Sequence, residues 1–278
     1  MQKKLRKLRA RYAYSIILMR EMVRTDFKIK YQESVLGYFW SVLRPLFLFG
    51  ILYLVFTVGL RVGDRVENWP VALLAGIVLW QFFTDVTKGG LKAIVKHGSL
   101  LRKIKLPRYI VVVSGTVTSF ISLLINFTLV IVFAVISGVP LLPTLPLVIL
   151  IILQVFVFSL GLAFLLAAIE VKFRDVEHVW EILLRGGFYA SAIIFPMSMI
   201  AERGETGIFI SKILLMNPIA QAIQDFRHVA ISPDVASLWT ISGGDLMLYI
   251  IPVTITIITF VFGAWYFRRR SPYFAEDI

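Results

Sequence analysis

The sequence predicts an all-α integral membrane protein with six transmembrane helices, and three observations carry that prediction. Of its 278 residues 58% are hydrophobic and only 17% charged, with mean hydropathy +0.82. A soluble domain is nearer half apolar and about a quarter charged, so the surplus apolar surface needs lipid as its solvent. Apolar stretches of roughly 20 residues, long enough to cross the hydrocarbon as a helix, occur six times. Finally, the basic residues segregate. If the six stretches cross in turn, 24 of the 29 Lys and Arg residues fall on the side of the N-terminus and 5 on the other. Positive charge is retained on the cytoplasmic side, which places both termini there.

The elements follow in order. Residues 1–11 carry Lys3, Lys4, Arg6, Lys7, Arg9 and Arg11. Over 12–30, Tyr14, Ile17, Leu18, Met22 and Phe27 recur at helical spacing against Arg20, Arg24, Lys28 and Lys30. That is the pattern of an amphipathic helix lying in the membrane interface, and a solvated helix packed on a partner shares it. Residues 1–37 are therefore read as a cytoplasmic or interfacial N-terminal segment. A six-span bundle fills 38–267, and 268–278 form a cytoplasmic tail. Together they make a single transmembrane domain.

The spans are expected at about 38–60, 69–86, 109–137, 147–169, 182–200 and 245–267. Trp69 and Trp80 are suited to interfaces. Between the first two spans lies a short polar loop, RVGDRVEN, and between the third and fourth a turn marked by Pro140, Pro143 and Pro146. Two charged cytoplasmic segments remain, 87–108 (TKGGLKAIVKHGSLLRKIKLPR) and 170–181 (EVKFRDVEHVWE). Each suits a short surface helix, facing either a soluble partner or lipid. Residues 201–243 are too polar to span and too apolar to be a plain loop.

The pattern excludes several functions. With no cysteine, disulfides and thiol chemistry are out. No G-x-x-x-x-G-K-[ST] loop occurs, so the chain has no P-loop ATPase of its own. His97, His178 and His228 are scattered and read as surface residues, with no metal site. The charge of +12 points to anionic lipid rather than nucleic acid. The basic N-terminus is not followed by the short apolar core of a cleaved signal peptide. Asp85, Glu170 and Asp245 sit at span ends, which disfavours proton coupling through buried carboxylates. Asn126, in mid-span, reads as an interhelical hydrogen bonder. A channel-capable bundle without its own energy source is left.

Six motifs in register resemble the permease subunits of type-2 ABC polysaccharide exporters, the family that exports O-antigen, teichoic acid and galactan. They are YQESVLGYFWSVLRP (31–45), LLAGIVLWQFF (73–83), LLRKIKLPRYIV (100–111), VKFRDVEHV (171–179), MNPIAQAIQDFR (216–227) and the tail RRRSPYFAEDI. One departure stands out: the family's Ser-Pro pair in the fifth span is Ser191-Ala192 here, with a proline only at Pro196. A proline kinks a helix at its own site, so the kink is expected to be displaced.

The resemblance implies a homodimer of six-span subunits in the bacterial inner membrane, enclosing a channel for a lipid-linked polysaccharide. Two ATP-binding cassette subunits would flank it and carry the ATP and magnesium, with no cofactor in this chain. Lys96, Arg102, Lys103, Arg174 and Asp175 would lie on the helices (87–105 and 171–179) that receive motion from the ATPases. Re-entrant helices over 201–228 would place Asn217, Pro218, Phe226 and Arg227 at the outer mouth. Tyr38, Phe39, Trp40, Phe47, Tyr53, Phe188 and Tyr189 are channel-lining candidates, each equally suited to packing against lipid or a neighbouring helix. Arg24, Lys28 and Arg44 could meet a lipid pyrophosphate or snorkel to headgroups. Two other readings stand beside this one. One is a type-2 ABC permease for a drug or small lipid. The other is a membrane-embedded glycosyltransferase or ligase built on Glu202, Glu205 and Asp225.

Overall fold

The computed structural model describes residues 15–28, 39–62, 66–103 and 107–274, and within them the regular structure is helical. The helices are α1 (15–28), α2 (Phe39–Leu52), α3 (Trp69–Lys96), α4 (Gly98–Lys103), α5 (Tyr109–Ile136) and α6 (Leu147–Glu170). They continue as α7 (Val176–Ala190), α8 (Ser198–Ala201), α9 (Glu205–Leu215), α10 (Pro218–Ala230), α11 (Leu238–Ser242) and α12 (Leu246–Arg270). Five stretches are long and apolar enough to cross a membrane: Phe39–Gly59, α3, α5, α6 and Leu246–Tyr273. A sixth is reached only if α9 and α10, bent by 106° at their junction, count as one.

Four of the expected spans match their helices to within a residue or two at the start, and α12 continues to Arg270. The second starts at Trp69 as expected but runs ten residues past its anticipated end, to Lys96. Most of the supposed surface segment 87–105 is thus the last turns of α3, with α4 a short appendix. The stretch 182–200 is not one helix. α7 ends at Ala190, residues 191–197 are irregular, and α8 is a single turn. The break therefore lies at Ala192, whose φ is +49°, and not at Pro196.

The core is organised by α3, whose lining from Trp69 to Ile94 is mostly buried. Trp69 and Trp80 belong to that core rather than to an interface. Trp80 packs on Phe83 and Phe188 at ring separations of 5.3 and 6.0 Å. α5 and α6 flank α3, and α12 crosses α6 so closely that only glycine fits: a Cβ on Gly161 would lie 2.6 Å from Phe260 Cα. Gly263 meets the Gly161 carbonyl from the other side. Small residues permit such crossings where no hydrophobic force drives helices together in lipid. α2 contains Pro45 and passes at Tyr53 into a π-helical stretch ending at Gly59, the wider winding that absorbs an extra residue. Two buried polar groups depart from expectation. Among the described residues neither Asn126 Oδ1 nor Glu170 Oε2 has a hydrogen-bond partner.

Candidate functional site

The break after α7 leaves carbonyls that a continuous helix would satisfy, and buried carbonyls need donors. Arg227 supplies them. It lies on α10, a helix begun by Asn217, whose side chain accepts from the Ile219 amide at 3.2 Å, and by Pro218 in the first turn. The fully buried Arg227 side chain donates from Nη1 to the Ala192 carbonyl (2.9 Å) and from Nη2 to the Ile193 carbonyl (2.7 Å). Nε donates to the Ala72 carbonyl of α3 at 2.9 Å. Gln224, one turn earlier, adds bonds to the carbonyls of Ser191 and Ala192 at 3.3 and 3.2 Å. The guanidinium also lies 5.0 Å from the Trp69 ring, a cation–π distance. The rigid fork of donors thus fastens α3, the α7 break and α10 at one point. Gly76 makes the room, since a Cβ there would stand 2.7 Å from Nη2. Phe226 is buried too, packed on Phe127 at 5.3 Å.

At the opposite end, α3 and α7 are joined by charge. Lys88 Nζ meets Glu181 Oε1 at 3.0 Å, and Lys92 pairs with Glu177. Lys88 holds the exposed Glu181 carboxyl below its usual range, through a hydrogen bond and its charge. His97 Nδ1 donates to the Ala93 carbonyl, while Nε2 lies 3.8 Å from Asp26 of α1. Of the coupling candidates, Lys96, Arg174 and Asp175 are exposed. Arg174 and Asp175 sit in the turn before α7, not on a helix over 171–179. Arg102 and Lys103 lie on α4, and their side chains fall outside the described residues.

The aromatic candidates divide. Phe39, Trp40 and Phe47 on α2 and Tyr189 on α7 are exposed. Tyr53 is half-buried, stacked on Phe49 at 5.6 Å, and Phe188 is half-buried between Trp80 and Tyr189. Tyr38 lies outside the described residues. Arg24, Lys28 and Arg44 are exposed. Glu202, Glu205 and Asp225 do not form an outer carboxylate cluster. Asp225 is buried and accepts from Tyr249 and Gln221, and among the described residues no three His, Asp or Glu could hold a metal.

A model of the ABC-2 type transporter family matches residues 17–230, from α1 to the end of α10. The chain belongs to that family. It is similar to the O-antigen export system permease protein RfbA of Myxococcus xanthus, with 28% identity over 252 residues, covering 88% of this chain and 92% of the relative. The protein of the same name from Klebsiella pneumoniae is 27% identical over 224 residues, covering 80% of this chain and 83% of the relative.

As an ABC-2 permease, the chain is a multi-pass membrane protein of a transport family, one that implies ATP-binding partners. The matched region contains both the Arg227 junction and the α3–α7 ion pairs. Lys88, Lys92, Glu177 and Glu181 were missed as a set, although their spacing was a signal. Two Lys four apart and two Glu four apart make matching stripes on two helices. Nothing in the sequence marked Arg227 as buried.

Proposed function

We propose that this ABC-2 permease is the channel-forming subunit of an exporter for a lipid-linked glycan of the O-antigen, teichoic acid or galactan type. Two copies would enclose the channel. Two separate ATP-binding subunits would supply the energy, with ATP and magnesium on those chains. The observation that carries this reading is similarity to O-antigen export permeases over 80% or more of the chain. Physical chemistry supports it. A glycan dragged through hydrocarbon would leave each hydroxyl unpartnered, at a cost of ~2–7 kcal/mol per group, so it needs an enclosed path. Aromatic faces let a sugar ring slide without holding it by specific bonds. The exposed Phe39, Trp40, Phe47 and Tyr189 suit that role across the interface between two copies.

In this reading the broken α7–α8 segment is the fifth of six crossings, and α9 and α10 are re-entrant helices on the outer side. That arrangement keeps both termini in the cytoplasm of a bacterial inner membrane, in agreement with the charge bias. α1 lies in the interface, where Arg24 and Lys28, with Arg44 of α2, attract the anionic end of the substrate. The α3–α7 ion pairs and the exposed turn at Arg174 and Asp175 receive the motion of the ATPases. Deleting the gene in its host tests this. Loss of surface glycan with lipid-linked glycan accumulating inside supports the proposal, and an unchanged surface glycan defeats it.

A further inference from the structure

The uncovered positions of α3 are sorted by chemistry. Between Val71 and Thr87 every residue is buried except Gln81, Thr84 and Asp85, and all three are polar. The other long helices open the opposite way, exposing Leu124 and Ile131 on α5, Leu150 and Leu153 on α6, and Ile258 and Val261 on α12, as faces turned to lipid do. The α3 opening lies deep. At 1.5 Å per residue Gln81 and Asp85 are roughly 18 and 24 Å from Trp69, where the helix starts, inside a hydrocarbon core of ~30 Å. Phe82 fixes the level. It meets Phe120 at 6.1 Å and Phe156 at 6.4 Å, near the middles of α5 and α6.

Gln81 donates from Nε2 to Asp85 Oδ1 at 2.6 Å, one turn along the helix. The Thr84 hydroxyl is turned inward and sealed, whereas no oxygen or nitrogen of Gln81 or Asp85 is buried without a partner. Residues three and four apart share a helix face, so positions 81, 85, 88 and 92 form one stripe. It passes into the ion pairs of Lys88 with Glu181 and Lys92 with Glu177. Polar character is therefore continuous from mid-membrane to the charged end of α3. α7 lies alongside. Gly187 lets it approach, since a Cβ there would stand 2.9 Å from Trp80 Cη2. Phe188 packs on Trp80 at 6.0 Å, and the exposed Tyr189 follows it, so aromatic rings stand at the depth of Gln81.

We propose that Gln81 and Asp85 line the glycan path on α3 and hold hydroxyls of the sugar chain as it passes the middle of the membrane. This rests on the reading of the chain as a glycan exporter and names where its substrate is held. A carboxyl and a primary amide opened to hydrocarbon lack partners, and ionisable residues at such depth face a bundle interior or a water-filled cavity. The class of ligand follows from the groups. A carboxylate accepts at about four positions, and an amide both donates and accepts. Sugar hydroxyls, each donor and acceptor at once, match both, while the neighbouring rings of α7 suit the apolar face of the sugar. A purely apolar substrate has nothing to offer either residue.

Cysteine accessibility tests it, because the chain has no cysteine of its own. Gln81→Cys, Asp85→Cys and Leu153→Cys are each assembled with the cognate ATP-binding subunit in bilayer nanodiscs and treated with a permanently charged methanethiosulfonate reagent. The thiolate is the reacting form and needs water, so positions 81 and 85 should react at least about tenfold faster than the lipid-facing position 153. The lipid-linked glycan of the host, added at about ten times its Kd, should slow both roughly tenfold by occupying the path, and leave position 153 unchanged. Rates equal to that of position 153 would mean that this face is sealed by lipid or by a second copy, and would overturn the proposal. Reaction that the glycan does not slow would overturn it too. If Asp85→Cys does not fold, Gln81→Cys decides the matter. The two readings fail separately. The exporter reading falls if deleting the gene leaves surface glycan unchanged, whereas this one falls if position 81 is unreactive or unprotected in a chain whose deletion does abolish it.

Discussion

Replacing Arg227 by methionine removes the donors that close the α7 break while filling most of the same space. Three bonds from a charged donor are lost, each worth about 1.5–3 kcal/mol. The loss is uneven. The Ala72 carbonyl keeps its place in the α3 ladder, and Gln224 still reaches the Ala192 carbonyl at 3.2 Å. The Ile193 carbonyl loses its Arg227 donor. Against this, methionine no longer has to be desolvated as a cation, a relief of several kcal/mol. The net cost is about 3 kcal/mol, or a fall of roughly 6–12 °C in thermal midpoint for a chain of this size. Arg227→Lys should do no better, because one ammonium does not span three carbonyls on separate segments. Gly76→Ala supplies the internal check. In the wild-type background its Cβ would stand 2.7 Å from Nη2 and should cost about 1–3 kcal/mol by overpacking. With Arg227→Met present that cost should vanish, giving a coupling of 1 kcal/mol or more, on the order of other contacting pairs. Thermal unfolding of the purified protein, followed by monodispersity, reads all four variants. Additive costs, or a midpoint for Arg227→Lys equal to wild type, would refute the claim that this side chain closes the break.

Other consequences follow from the same structure. Lys88→Glu and Glu181→Lys should each impair partner-driven ATPase activity with little change in stability, and the double swap should restore it. Because Lys88 holds the Glu181 carboxyl below its usual range, that link contributes fully at neutral pH. It is lost as pH falls below about 4.5, through the depressed pKa, and a cross-link between cysteines introduced near 88 and 181 in this cysteine-free chain reports it. Gly161→Leu should abolish monodisperse protein, since α12 backbone already occupies the space its side chain needs. Tyr189→Ala should lower glycan export without shifting the thermal midpoint, whereas Leu184→Ala, five residues earlier on α7 and buried, should cost about 2–5 kcal/mol of stability and lower the midpoint.

How much of this was legible in the sequence depends on the kind of signal. The spans at 39–59, 109–136, 147–170 and 246–270 could be read because hydrocarbon thickness demands a length and a composition, and both are visible one residue at a time. α3 overran its expected end because Lys88, Lys92 and Lys96 look like a stop signal, yet two of them are paired to α7 and the helix continues. The break within 182–200 was hidden for a different reason. FYASAIIFPMSM is apolar apart from Ser191 and Ser198, and its break depends on a donor 35 residues from Ala192, at Arg227. Periodicity carries no information about a tertiary hydrogen bond. The resemblance put Arg227 at the outer mouth, and no pattern in its own segment distinguishes a buried arginine from the solvated one that is the ordinary case. The matching Lys and Glu stripes of α3 and α7 were present in the spacing, but only the fold sets those two faces opposite each other.

The central claim is that this permease is a channel without its own motor. Reconstitution into vesicles with a lipid-linked glycan of its host, with and without the cognate ATP-binding subunit, tests it most directly. Glycan should cross only when the subunit, ATP and magnesium are all present. Glycan movement or ATP hydrolysis by this chain alone would contradict it.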